Sequence, residues 1–221
     1  MVQAINALGY DIWVTGNHEY NYGMDVLKKT MADISCKVLT GNVYDENGKA
    51  IADGFTIFEK DGVRIAVIGM VTPNIALWDA ANLAGCTVTN PLDETRKIIG
   101  SIEGQYDLLV GVYHMGIHNE YGIAGSGVTD ILNAFPEFDL MVSSHEHVQI
   151  PGMEINGVLV VQNKYMAQTM AVIDLTLEKE GDGWKVIEKK SESVNIANYE
   201  ADPAITDLLA GYDAIAREDA E

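Results

Sequence analysis

The chain has 221 residues, 48% of them hydrophobic and 21% charged, which suits one globular domain with a buried core. Acidic residues outnumber basic ones 33 to 14, and the net charge of −19 opposes binding to a nucleic-acid polymer or an anionic membrane surface. No apolar run is long enough for a membrane span, the start lacks the features of a signal peptide, and two cysteines, Cys36 and Cys86, are too few for a disulfide framework.

Val2 to Leu8 reads as the end of a helix closed by Gly9. Asp11 to Thr15 is a short apolar strand that runs straight into Gly16-Asn17-His18-Glu19. Asp25 to Ile34 is an amphipathic helix, and Lys37 to Asn42 a strand. Turns at Asp45-Glu-Asn-Gly48 and Asp61-Gly62 separate strands at Gly54 to Glu59 and Val63 to Gly69. Pro91 to Ile102 is a helix with proline in its first turn, and Leu108 to Tyr113 a buried strand that ends at His114. Val128 to Phe135 is a helix, and Leu140 to Ser143 a strand leading into Ser144-His145-Glu146-His147. Hairpins around Asn156-Gly157 and Gly181-Asp182-Gly183, with strands at Leu159 to Gln162 and Met170 to Leu177, precede a last helix, Pro203 to Arg217. Strand–helix alternation followed by hairpins predicts a layered α/β protein with mixed sheets.

Three strand ends deliver polar ligand-type residues: Asn17 and His18, then His114, then His145 and His147. Loops after strand C-termini are where open α/β sheets assemble their sites. Each piece has a plainer reading alone, since Gly-Asn-His also makes a turn and a lone buried histidine is usually just hydrogen-bonded. In His145-x-His147, strand alternation would put both rings on one side. Jointly these positions favour a metal site, and imidazole with carboxamide suits Zn, Mn, Fe or Co. His118 is expected at the surface, and Met24, Met31 and Met141 in the packing.

Gly16-Asn17-His18-Glu19, the strand-end His114 and His145-x-His147 resemble the later motifs of the calcineurin-like metallophosphoesterases. Tyr20-Asn21-Tyr22-Gly23, Val71-Thr72-Pro73 and Trp78-Asp79-x-x-Asn82-Leu83 are similar to the branch of 2′,3′-cyclic-nucleotide 2′-phosphodiesterases/3′-nucleotidases within the 5′-nucleotidase family. The resemblance implies an αββα sandwich with mixed sheets. It also implies two divalent ions, with Asn17, His114 and His145 on the second metal and His147 on the first. His18 would stabilise charge at the phosphate and help protonate the leaving oxygen, with Asn21 as its partner in place of an aspartate. The implied reaction is attack of metal-activated water on the phosphorus of a nucleotide or other phosphomonoester. Ser144 stands where the family has glycine. The resemblance assigns no substrate-binding residue.

Of the family's first two motifs, Asp-x-His does not occur in the chain and no Gly-Asp precedes Asn17, Gly181-Asp182 being a hairpin turn. A fold lacking its first strand or strands is therefore expected, with an incomplete metal site and a chain inactive by itself. Residues 1–199 read as a partial metallophosphoesterase domain, and residues 200–221 as a connector helix toward a C-terminal nucleotidase domain in a full-length parent. By analogy that parent is periplasmic or cell-wall-associated. Two alternatives stand beside this reading: a 5′-nucleotidase, and a non-catalytic fragment whose metal site does not close.

Overall fold

A computed structural model describes residues 1–219. It opens with α1 (Val2–Leu8), closed by Gly9 in the left-handed conformation at φ 69°. β1 (Ile12–Val14), α2 (Met24–Asp33) and β2 (Lys37–Leu39) form a parallel β-α-β unit with Trp13 opposite Val38. Next come β3 (Val43–Tyr44), β4 (Phe55–Lys60), β5 (Val63–Val71), the one-turn helix α3 (Ile75–Trp78) and β6 (Thr87–Val88), which pairs with β3. They are followed by α4 (Pro91–Ser101), β7 (Leu108–His114), α5 (Val128–Ala134) and β8 (Leu140–Ser143). The chain continues through β9 (Ile150–Ile155), β10 (Val158–Gln162) and a long hairpin of β11 (Thr169–Glu180) and β12 (Gly183–Asn195). Finally α6 (Pro203–Asp219) lies against α1.

The main sheet has six strands in the order β4-β5-β7-β8-β10-β9. Its four inner strands are parallel and both edge strands antiparallel. Residues Ala66 to Val71 of β5 are all buried, the continuous apolar run expected of a parallel strand covered on both faces. One face packs Ile98 of α4 and Val128, Ile131 and Leu132 of α5 into a core with Leu109, Tyr113 and Met141. Against the other face lies the β1–β2 sheet, with closest approach at Gly69. A Cβ there would fall 2.5 Å from Leu39 Cβ and 3.0 Å from Val14 Cγ2. Asn6 of α1 is hydrogen-bonded to Asp33 and Ser35 at the end of α2. The layers are thus helix, small sheet, large sheet, helix, the mixed α/β sandwich the sequence implies.

The strand expected over Lys37 to Asn42 stops at Leu39. Asn42 turns inward instead: its amide donates to the Val71 carbonyl at 2.9 Å, and its oxygen accepts from the Val71 amide at 3.1 Å. That exchange satisfies the end of β5, while the Asn42 backbone carbonyl accepts from the Thr89 amide at 2.9 Å, so the chain here leaves β2 for the β3–β6 pair. Of the three singled-out methionines, Met141 is fully buried and Met24 and Met31 pack against the second core cluster. Cys36 and Cys86 are half-buried free thiols. Among the described residues no helix is long and apolar enough to cross a membrane.

Candidate metal centre and catalytic histidine

β5, β7 and β8 end side by side, with Val71 paired to His114 and Tyr113 to Ser143. The loop after β1 crosses this edge. Thr15 anchors it through its hydroxyl, 3.1 Å from Tyr20 Oη and 2.6 Å from Thr40 Oγ1, all fully buried. Burial raises the Tyr20 phenol well above its ordinary range, so this network stays uncharged. Gly16 passes directly over the His114 ring: a Cβ there would sit 2.6 Å from His114 Cε1. Any larger residue would push Asn17 off the site. The Gly16 amide donates to Glu19 Oε2 at 2.5 Å, which fixes the single 3-10 turn of Asn17–Tyr20.

Asn17, His114 and His145 meet at one point. Asn17 Oδ1 is 2.8 Å from His114 Nε2 and 3.3 Å from His145 Nδ1. Ser144 Oγ lies 3.0 Å from His114 Nδ1, so the family's missing glycine is replaced by a group that orients a histidine. Ser144 has no left-handed backbone, which is why a non-glycine residue fits there. The His145 Nε2 atom lies 3.1 Å from Glu120 Oε1, and the His145 ring stacks on Trp78 at 5.4 Å. Burial, with His145, His18 and His147 nearby, lowers the His114 pKa to about 3. His114 is therefore a neutral imidazole, the form that offers a lone pair.

His147 departs from the expectation of two converging rings. The chain leaves β8 at Ser143, and both His145 and His147 take left-handed backbone, φ 78° and 60°. Strand alternation therefore does not apply to the pair. The His147 ring packs on Tyr165 at 5.3 Å, close enough to influence His114 but sharing no hydrogen bond with Asn17, His114 or His145 among the described residues. His118 is exposed, as expected.

His18 is exposed beside the trio, and its Nδ1 lies 2.7 Å from Asn21 Oδ1. Asn21 in turn donates from Nδ2 to Asp79 Oδ1 and Oδ2, at 3.0 and 3.1 Å. Asn82 also donates to Asp79 and to the Asn21 carbonyl. The Trp78-Asp79-x-x-Asn82 segment thus supplies a ring-stacking partner and a carboxylate that sequence reasoning gave no role. Glu120 and Asn74 carried no sequence signal of their own.

A carboxamide oxygen and two imidazole nitrogens facing one another, with a carboxylate behind one ring, fit a single borderline divalent cation. Among the described residues no group of three or more His, Cys, Asp or Glu is arranged to hold a metal, and of the expected ligands only His147 is left for a second ion.

No protein-family model matches the chain. It is 29% identical over 223 aligned positions to the trifunctional nucleotide phosphoesterase protein YfkN of Bacillus subtilis, covering 89% of this chain and 15% of that protein. It is 28% identical over 217 positions to the 2′,3′-cyclic-nucleotide 2′-phosphodiesterase/3′-nucleotidase of Salmonella typhimurium, covering 86% of this chain and 34% of that one. The chain thus spans about a third or less of the length of these relatives. The crystal structure of the calcineurin-like phosphoesterase YfkN from Bacillus subtilis superposes with a TM-score of 0.89 at 27% identity, covering 98% of this chain and 73% of that one. Fold, strand-end residues and relatives agree: the chain is similar in sequence and in fold to calcineurin-like phosphoesterases.

Proposed function

We propose that the protein hydrolyses phosphate esters of nucleotides, acting as a 2′,3′-cyclic-nucleotide 2′-phosphodiesterase and 3′-nucleotidase in its full-length form. The convergence of Asn17, His114 and His145 beside an exposed, hydrogen-bonded His18 carries this reading. Asn17, His114 and His145 hold one divalent cation, and His147 contributes to a second. When bound, such ions supply positive charge for the phosphoryl oxygens and lower the pKa of the attacking water.

The chain's own residues do the rest. Asn21 Oδ1 accepts a hydrogen bond from His18 Nδ1–H and so turns Nε2 toward the open side. In its doubly protonated, imidazolium form His18 donates from Nε2–H to a phosphoryl oxygen and passes that Nε2 proton to the leaving oxygen, reverting to the neutral Nδ1–H ring. Neutral donors on the cation leave it more electrophilic than carboxylates would. The surface charge of −19 repels free nucleotide, so attraction is local to the cation. Residues 1–199 form a partial catalytic domain, residues 200–221 connect toward a nucleotidase domain, and the full-length protein works in the periplasm or at the cell wall.

Rates on adenosine 2′,3′-cyclic phosphate, 3′-AMP and 5′-AMP test the substrate assignment. Faster turnover of the first two supports it, and preference for 5′-AMP makes the protein a 5′-nucleotidase. The described residues supply three donors for one cation and one for another, so the 221-residue chain by itself is expected to leave an aryl phosphate uncleaved.

A further inference from the structure

Glu120 lies outside the ligands and catalytic groups argued above, yet its carboxylate joins two elements of the site. Its Oε1 is 3.1 Å from His145 Nε2, and its Oε2 accepts from Asn74 Nδ2 at 2.7 Å. The supporting loop is pinned. The Glu120 amide donates to the Oγ of buried Ser126 at 2.9 Å, and the Glu120 carbonyl accepts from the Ile123 amide at 3.0 Å.

An imidazole that donates a lone pair to a cation carries a single ring proton, and at His145 two acceptors offer places for it. Asn17 Oδ1 is 3.3 Å from Nδ1, and Glu120 Oε1 is 3.1 Å from Nε2. A carboxylate is the stronger acceptor, and here it is also the nearer one. We propose that Glu120 is a positioning residue that holds His145 as its Nε2–H tautomer, so that the Nδ1 lone pair joins Asn17 Oδ1 and His114 Nε2 as a donor to a divalent cation. This rests on the metal reading above. Without the carboxylate the proton moves to Nδ1, donates to Asn17 Oδ1, and occupies the position a cation needs.

Asn74 makes the proposal discriminating. It is fully buried, and its Oδ1 has no hydrogen-bond partner. In Glu120→Gln the new carboxamide oxygen can still accept from His145 Nε2. Half a turn of the Asn74 amide then brings its Oδ1 to the new Gln NH2 group. Glu120→Gln therefore preserves every contact, whereas Glu120→Ala removes both.

The test is nitrogen NMR of the histidine rings in the metal-free, labelled chain, together with zinc titration calorimetry. The unaltered chain should show His145 protonated at Nε2. Glu120→Ala should move the proton to Nδ1 and weaken zinc binding about 10- to 100-fold, while Glu120→Gln keeps the tautomer and stays within about threefold. An Nδ1 proton in the unaltered chain overturns the assignment, as does Glu120→Ala with tautomer and affinity unchanged, or Glu120→Gln as damaging as the alanine. Should Glu120→Ala unfold, the unaltered chain and Glu120→Gln still decide. A chain that binds no zinc overturns the metal reading, whereas zinc binding with the wrong tautomer overturns the role of Glu120 alone.

Discussion

The side-chain amide of Asn21 donates to both oxygens of Asp79, and this contact decides which way Asn21 faces His18. With its NH2 group held by the carboxylate, Asn21 has only its carbonyl oxygen to offer, and His18 Nδ1 lies 2.7 Å from it. Asp79 is buried, so the carboxylate is not free to swing away. Asp79→Ala lets the amide rotate and loosens the ring. In the active protein, turnover should fall about 10- to 100-fold while zinc affinity holds, because none of the three converging ligands touches Asp79. Steady-state kinetics beside calorimetry check the split, and a parallel loss of zinc would place Asp79 in the metal site instead.

His18 itself has no hydrogen bond to Asn17, His114 or His145 among the described residues. His18→Ala should cut turnover about 10²- to 10⁴-fold with metal content nearly intact. Metal analysis of the purified variant is the check, and loss of the ion would make His18 a ligand.

The Asp107–Arg64 pair gives acid sensitivity far from the site. Arg64 donates to Asp107 from Nη2 at 2.7 Å, from Nε at 3.0 Å and from its backbone amide at 2.9 Å. The guanidinium beside it, with these bonds, holds the Asp107 carboxyl below the usual carboxylate range. A folded-state pKa below the unfolded one stabilises the protein above roughly pH 4, and that stability is lost as pH falls through the folded value. Asp107→Asn should lower Tm by about 3–8 °C at neutral pH. The gap to the unaltered chain should narrow as pH drops below roughly 4. Melting curves across pH measure both.

Gly69 sets the spacing of the two sheets. The methyl of Gly69→Ala would meet Leu39 Cβ and Val14 Cγ2, neither a flexible chain end. Destabilisation of about 1–3 kcal/mol is expected by denaturant unfolding. No change would mean the sheets can separate at that point.

The sequence makes part of this site legible because three ligand-bearing loops each follow a short apolar strand. Asn17, His18, His114 and His145 could be located that way, and helix and strand periods gave the layers. Strand alternation did not describe His145 and His147, because both take left-handed backbone at non-glycine positions, which residue type does not announce. Asp79, Asn74 and Glu120 act across 58, 46 and 25 residues of chain, and no local pattern marks a partner at such distance. Asp79 and Asn82 at least lie in a segment whose resemblance was visible. Glu120 has no such flag, and only the folded loop shows what it touches.

X-ray absorption at the zinc edge of the zinc-loaded chain bears most directly on the central claim, that Asn17, His114 and His145 grip one cation together. The expected spectrum has a nitrogen and oxygen shell at about 2.0–2.1 Å with the outer scattering of two imidazoles, falling to one in His145→Ala. An imidazole count unchanged by that substitution would mean the ion sits elsewhere and would contradict the assignment.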